Sequence, residues 1–188
     1  WGTLFRDAIV VDEFTFNGQD TILFDDTPSR VLAAQNKRNA RLYGLTSYLN
    51  ADATENIALF ASVSFTRGQI LKEAGAEKPS PLDHIPPTYG RAGFRWHKNG
   101  SFMEGFILFN GKKRLEDYNL EGEDNFQYAP PTGMPEWITL NIRGSYRLGK
   151  HLTIQVGIDN LLDTQYRYFA SGINAPGRNF WITARTSW

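Results

Sequence analysis

Cysteine is absent from this chain of 188 residues, and so is any excess of charge. Without cysteine there is no disulfide framework, no thiolate zinc site and no cysteine nucleophile. The 20 acidic and 20 basic side chains give a net charge of zero, so no global field draws the chain towards nucleic acid. These absences exclude several classes of protein without indicating a fold.

Long apolar runs are absent as well. No segment approaches the roughly 20 apolar residues of a membrane helix, and the mean hydropathy is −0.42. A membrane strand needs only about 9 to 11 residues, and half of them can face a polar interior. Aromatic residues make up 14% of the chain beside 17 glycines, a mixture that favours twisted strands and aromatic girdles. Since the chain starts at Trp1 without a signal segment, we expect a mature chain or a fragment.

Alternation of apolar and polar residues is the strongest pattern present, and it predicts β-strands. Leu152, Ile154, Val156 and Ile158, for example, fall on one face of a strand. In the segment 101–110 two faces compete, and we favour the one with Met103, Ile107 and Phe109 outward. We predict eight strands, at residues 4–11, 40–49, 57–65, 89–96, 101–110, 137–148, 152–158 and 180–188.

The connections between these strands alternate in length. Turns predicted from Asn99-Gly100 and Gly149-Lys150 are short. The connections at 12–39, 69–88, 111–135 and 159–179 are long, and we expect a turn at 26–29 within the first. Long loops on the extracellular side and tight turns on the periplasmic side are typical of outer-membrane barrels. The sequence therefore predicts an all-β protein, an antiparallel up-and-down transmembrane β-barrel with its last residue on the short-turn, periplasmic side.

Two motifs near the end resemble a known family. Asn160-Leu161-Leu162-Asp163 followed by Tyr166, and then Pro176-Gly177-Arg178 with Phe180, are similar to the C-terminal signature of TonB-dependent outer-membrane receptors. Residues 39–44 and 85–90 fit the same family. The family more often ends on Phe, whereas this chain ends on Trp188.

The resemblance implies a bacterial outer-membrane receptor that imports a scarce nutrient, such as a ferric siderophore or haem, with energy delivered through TonB. The family's barrel has about 22 strands around an N-terminal plug domain. Residues 1–188 would then be a single segment, the C-terminal third of that barrel. Its expected partners are TonB through the missing N-terminal part, the receptor's own plug, outer-membrane lipid, the barrel assembly machinery and a small-molecule or metal-chelate substrate.

Two alternatives stay open at this point. One is a self-contained eight-stranded outer-membrane barrel acting as an adhesin, an anchor or a small lipid-modifying enzyme. The other is a soluble β-sandwich that binds a ligand. Pairing between the first and last strands would establish the closed small barrel.

The candidate functional residues fall into three sets. Three residues on long loops could contact a ligand: His84, Tyr118 and Tyr128. Five arginines are expected to face the lumen, where they would pair with carboxylates or steer an anionic substrate: Arg91, Arg95, Arg143, Arg147 and Arg185. The aromatic residues Phe180 and Trp188 are expected to carry the barrel assembly signal.

No catalytic motif is present. The chain lacks a Gly-x-Ser-x-Gly elbow, a His-Glu-x-x-His zinc motif and a phosphate-cradling glycine loop. We therefore expect no enzyme activity, no cofactor and no metal ligands. Asn160 and Asp163 are interpreted as turn-forming residues, because their side chains bond nearby backbone amides.

Overall fold

The structure, a computed structural model, describes residues 1–71, 79–119, 124 and 126–188. Its strands, in chain order, are β1 (Gly2–Glu13), β2 (Thr21–Phe24), β3 (Thr27–Arg30), β4 (Leu32–Thr54), β5 (Ile57–Ile70), β6 (Ser80–Pro81), β7 (Tyr89–Lys98), β8 (Ser101–Asn110), β9 (Trp137–Leu148), β10 (Leu152–Asp159) and β11 (Asn179–Thr186). Two single 3-10 turns, Leu115–Asp117 and Phe126–Tyr128, lie between β8 and β9. Within the described ranges, no helix is long and apolar enough to span a membrane.

Eight of these strands form one antiparallel sheet in the order β1-β4-β5-β7-β8-β9-β10-β11. The short strand β6 pairs with β5, and β2 pairs with β3 as a separate hairpin. The predicted eight-stranded meander is confirmed. In the described strand order β1 and β11 are the two ends and are not paired with each other.

The short connections have the geometry that their residues favour. Asn99 and Gly100 adopt φ angles of 50° and 78°, the left-handed conformation that a tight two-residue hairpin turn requires. Gly149, with a φ of 65°, begins the turn between β9 and β10. These turns define a short-turn end of the sheet, and the long connections define the opposite, long-loop end.

The first long connection differs from the prediction. Pairing between β1 and β4 continues to Glu13↔Leu32, so most of the predicted loop at 12–39 is strand or hairpin. The turn lies at Asp25 and Asp26, both with positive φ, and Pro28 is in β3 rather than in the turn. Backbone pairing between long neighbouring strands outweighs the polar composition of this segment. The loops at 69–88 and 111–135 are partly outside the described residues.

The two faces of the sheet have opposite chemistry. Leu59, Phe94 and Ile138 lie on the apolar face and are 44%, 45% and 47% exposed. Thr139 and Asn141 lie on the polar face and are 1% and 3% exposed. Exposed apolar and buried polar side chains are the reverse of a soluble domain and are what a barrel in lipid requires.

Strand register determines which side chains of β8 lie on the apolar face of the sheet. Ile107 is directly opposite Ala92 and Leu140, and Phe109 is opposite Ile138, so these side chains share the apolar face with Met103. The favoured orientation is confirmed. The last strand ends earlier than predicted, at Thr186, and Trp188 is fully exposed beyond it.

Candidate functional site

A group of charged side chains, which we call the arginine cluster, occupies the polar face across β7 to β10. The cluster consists of Arg91, Arg95, Glu104, Arg143 and Asp159. Glu104 on β8 lies directly between Arg95 on β7 and Arg143 on β9 in the strand register. Side chains directly opposite on one sheet face are about 4.5–5.5 Å apart at Cβ. The sheet therefore brings one carboxylate between the guanidinium groups.

Glu104 is the centre of this cluster. Its Oε1 accepts a hydrogen bond from Nη2 of Arg91 at 3.2 Å, and its Oε2 accepts one from Nε of Arg95 at 2.8 Å, with Nη2 of Arg95 also bound to Oε2. The Glu104 side chain is 5% exposed, whereas those of Arg91 and Arg95 are 44% and 50% exposed. The carboxylate is buried beneath cations that still reach solvent.

Arg143 has a separate carboxylate. Its Nη2 donates to Oδ1 of Asp159 at 3.1 Å, and the indole Nε1 of Trp181 donates to Oδ2 of the same carboxylate at 3.0 Å. Asp159 is thereby bound from two neighbouring strands. Both interactions fix its carboxylate at the long-loop end of β10.

Aromatic rings hold the guanidinium groups in place. The Arg91 guanidinium lies 4.5 Å from the ring centre of Phe60 and 5.2 Å from that of Phe106. The Arg143 guanidinium lies 4.8 Å from Phe106. Phe106 thus contacts two cations, and cation–π attraction offsets part of the repulsion between them.

Positive charge exceeds negative charge on this face. All five predicted arginines share it, because Arg147 and Arg185 lie four residues beyond Arg143 and Trp181 on their strands. Over β7 to β11 the polar face carries five arginines against two carboxylates, Glu104 and Asp159, an excess of three positive charges (5 − 2 = 3). In the described part of the chain Arg147 and Arg185 form no ion pair.

A second charged group, which we call the loop core, lies at the long-loop end and consists of Ile85, Lys113, Tyr118, Asp124 and Phe169. Lys113 Nζ donates to the carbonyl oxygen of Ile85 at 2.6 Å and to Oδ2 of Asp124 at 3.3 Å. The two side chains of this ion pair are 3% and 0% exposed. The loop core therefore connects three separate long connections through one buried ammonium group.

Burial sets the protonation of this group. Desolvation lowers the pKa of Lys113, and the carboxylate of Asp124 opposes that shift. The ammonium lies 4.9 Å from the ring centre of Tyr118 and 4.2 Å from that of Phe169. Two aromatic faces and two oxygen acceptors thus replace water around the cation.

The three predicted ligand residues lie in different surroundings. His84 is exposed, and its backbone N–H donates to Oδ1 of Asp124 at 2.7 Å. Tyr118 is buried at 3% exposure within the loop core, where burial raises its pKa. Tyr128 is 51% exposed, and its carbonyl accepts a hydrogen bond from Arg167. Ligand contact by these residues stays a prediction.

The motif that carries the family resemblance is built into the connection between β10 and β11. Asn160, at 2% exposure, accepts from the backbone N–H of Thr164 at 2.9 Å and donates to the Thr164 carbonyl at 2.8 Å. Its own N–H donates to Oδ1 of Asn141 at 3.0 Å. Asp163 accepts from the N–H of Arg178 at 2.8 Å. These contacts shape the turn, in agreement with the structural interpretation of the motif.

An aromatic group lies beside that turn. The ring of Trp137 is 4.4 Å from Tyr166 and 5.3 Å from Tyr168, and its Nε1 donates to the carbonyl of Arg167. Desolvation, followed by a hydrogen bond with Tyr168, raises the pKa of Tyr166 to about 12. Tyr166 is therefore a packing residue of this connection.

The assembly residues lie at the edge strand. Phe180 on β11 is 67% exposed on the apolar face, and Trp188 follows the strand without contact to the sheet. Their part in assembly stays a prediction. In the described part of the chain, no group of three His, Asp or Glu side chains could hold a metal ion.

Sequence reasoning missed Glu104 and Asp124 as the acidic centres of the two groups. A local signal for Glu104 exists, because a two-residue turn at Asn99-Gly100 places residue 104 opposite Arg95. No comparable signal exists for Asp124, whose partners come from distant connections.

Comparison with known proteins agrees with this architecture. Residues 3–161 match the family described as TonB dependent receptor-like, beta-barrel. The chain belongs to this family. TonB-dependent receptors are bacterial outer-membrane proteins, so the apolar face of the sheet lies against outer-membrane lipid.

Solved structures show the same fold. Among 33 matching chains is one named copper transporter OprC, with a TM-score of 0.72 and 19% sequence identity. The match covers 100% of this chain and 28% of that one, so the present chain spans less than a third of the transporter's length. At this identity the likeness shows the fold alone. No curated protein matches the chain.

Proposed function

We propose that this chain forms part of the barrel wall of a TonB-dependent receptor that imports a scarce nutrient across the outer membrane. The observation that carries the proposal is the distribution of side chains on the sheet. Its apolar face is exposed, and its polar face has an excess of positive charge. In a barrel of this family the polar face borders the lumen. The proposed transport needs no catalytic chemistry from this segment.

The open edges of the sheet support a larger barrel. The free edges of β1 and β11 each present backbone donors and acceptors, which in lipid need hydrogen-bond partners. A self-contained eight-stranded barrel would satisfy them by pairing β1 with β11, and the described strand order has no such pair. We infer that other strands of the same receptor cover these edges, and that this segment is the C-terminal third of its barrel.

The excess positive charge of the polar face suggests what the lumen contains. Uncompensated positive charge in a confined space favours carboxylates of a plug domain or an anionic cargo. Haem, with its propionates, and the anionic ferric siderophores are the cargo classes that we propose. The exposed His84 and Tyr128 at the long-loop end are candidate first contacts. TonB would supply the energy through an N-terminal part of the receptor.

Uptake by intact cells tests this proposal. A strain without the gene, complemented with the full-length receptor, is supplied with labelled ferric siderophores, haem or copper ions under starvation. We expect uptake of one anionic chelate that requires both the receptor and TonB. Uptake that persists without TonB, or equal uptake with and without the receptor for every cargo, would show that the proposed function is wrong.

A matched pair of variants tests the role of the unpaired positive charge on the polar face. Arg147→Gln and Arg185→Gln each remove one polar-face charge that has no carboxylate partner, and we expect uptake of an anionic cargo to fall severalfold. The control is Arg30→Gln, which removes a similar charge from the β2–β3 hairpin. Unchanged uptake in the two polar-face variants would assign these charges to another role.

A further inference from the structure

On the paired strands β4 and β5, two described arginines lie on the apolar face, which is an unusual position for a charge in a membrane barrel. They are Arg41 on β4 and Arg67 on β5. Strand register places Phe65 opposite Leu45, Arg67 opposite Tyr43 and Gln69 opposite Arg41. All of these side chains share the face of Leu59, because residues two apart on a strand point the same way.

Their height along the strand is that of the lipid headgroups. The apolar side chains of β5 run from Ile57 to Phe65, eight residue steps or about 27 Å along the strand. With a tilt of about 35–45° these steps cover roughly 20 Å of an apolar band about 25 Å tall. Arg67 is two residues farther towards the long loops. It therefore lies at the boundary of the hydrocarbon, on the side where such barrels face the cell exterior.

Among the described residues, neither arginine has an acidic partner. Nε and Nη2 of Arg41 donate to Oε1 of Gln69 at 3.2 and 2.7 Å, and its guanidinium lies 5.9 Å from the ring of Tyr43. Gln69 is uncharged, so this contact orients the guanidinium without cancelling its charge. Arg67 has no ion pair or hydrogen-bonded partner in the described part of the chain. An oriented Arg41 with Arg67 diagonally across from it in the strand register forms a pair of cations at the lipid boundary, and such a pair attracts an anion.

A cleft of about 460 Å³ beside Arg67 offers room for that anion. It arises because β7 pairs with β5 only as far as Ser64↔Tyr89, whereas β6 pairs with β5 at Gln69. The edge of β5 is uncovered in between. Arg67 and Gln69 line the cleft together with Lys112 and Lys113, and Arg41 adjoins it through its hydrogen bonds to Gln69.

The cleft also has acidic lining residues. Glu116 and Asp117 lie on its loop side, and Glu116 is bound to Arg114 at 3.0 Å. Arg67 therefore lies on the strand side of the cleft, whereas Lys112 and Lys113 lie on the loop side with the acidic residues.

We propose that Arg41 and Arg67 bind the phosphate group of an outer-leaflet lipid. Guanidinium groups match phosphate oxygens with paired N–H donors, and Tyr43 and Phe65 contact the acyl region immediately below. The proposal depends on the outer-membrane location of the barrel and on its long loops facing outside. It does not depend on which nutrient is imported, so the uptake experiments and the lipid experiment fail independently.

The test uses the full-length receptor, purified in detergent and studied by native mass spectrometry. The probes are phosphorylated lipid A, dephosphorylated lipid A and inorganic phosphate at equal concentration. We expect the receptor to retain phosphorylated lipid A, and the double variant Arg41→Gln with Arg67→Gln to bind it about tenfold more weakly. The control Arg185→Gln removes a charge from the polar face and should bind as the parent does.

Three results would overturn the proposal. They are equal retention of the phosphorylated and dephosphorylated lipids, equal affinity of the double variant and the control, and occupancy by inorganic phosphate that matches that of the lipid. Single variants at Arg41 and Arg67 keep the test valid if the double variant does not insert. Each should lose part of the affinity while its heat-modified mobility shows a folded barrel.

Discussion

The arginine cluster and the loop core both place a buried carboxylate beside cations, and they differ in what surrounds the pair. In the arginine cluster Glu104 is buried, but Arg91 and Arg95 are about half exposed. In the loop core Lys113 and Asp124 are both buried. The first group has more cations than carboxylates, and the second is a closed pair.

This difference separates a charge that is open to solvent from one that is sealed. Water screens the half-exposed guanidiniums, so their excess charge is tolerated and stays accessible. The sealed pair has no access to a partner, and its charges are compensated by each other and by the Ile85 carbonyl. We therefore expect the loop core to be sensitive to the loss of one member and the arginine cluster to be more tolerant.

The largest effect is expected for Lys113→Met. The variant leaves the Asp124 carboxylate buried without its cation, which costs about 3–5 kcal/mol for a buried pair. The amide of His84, which donates to that carboxylate, should exchange its hydrogen much faster. Hydrogen exchange of the receptor, followed by mass spectrometry, measures this loss.

Two further variants control this experiment. Arg114→Gln removes an exposed cation next to Glu116 and should leave exchange at His84 unchanged. Adding Asp124→Leu to Lys113→Met removes both buried charges and should restore much of the lost free energy of unfolding, although the His84 amide then has no side-chain acceptor and stays fast to exchange. Exchange in Lys113→Met as slow as in the parent would show that the loop core is not a sealed pair.

A smaller effect is expected for Glu104→Gln in the arginine cluster. The variant removes the carboxylate shared by Arg91 and Arg95, but both cations can be hydrated. We expect a loss of about 1–2 kcal/mol in the free energy of unfolding. Urea unfolding of the receptor in lipid vesicles measures it, with Glu13→Gln at the exposed pair to Arg30 as the control. A loss as large as that of Lys113→Met would remove the distinction between the two groups.

An effect that is absent at neutral pH concerns the long-loop end in alkaline solution. The pKa of Tyr166 is raised to about 12 from an ordinary value of 10.0, so the unfolded chain releases the phenolic proton first as pH rises. Folding stability should therefore fall between pH 10 and about 12. Tyr166→Phe should remove this part of the pH dependence, whereas Tyr128→Phe should not. Unfolding followed across this range gives the comparison, and identical pH profiles for the parent and Tyr166→Phe would contradict the assignment.

Local patterns in the sequence predicted the strands and their order. Alternation placed seven of the sheet strands over much of their length, and the Asn99-Gly100 turn determines which residues of β7 and β8 are opposite each other. The first part of β4 is the exception: residues 35–39 are all polar, and pairing with β1 makes them part of the strand. Polar composition indicates a loop only where no neighbouring backbone supplies hydrogen bonds.

The candidate site also has a part that the sequence predicted and a part that only the tertiary structure brought together. The shared face of the five arginines follows from the two-residue period of a strand, so the amino-acid sequence by itself determined it, together with the family motif around Asn160. The loop core was decided only by tertiary structure. Lys113, Asp124, Ile85 and Phe169 come from three long connections with no fixed spacing, and they meet because a buried ammonium group must replace its water with whatever oxygen atoms and rings the folded chain brings near.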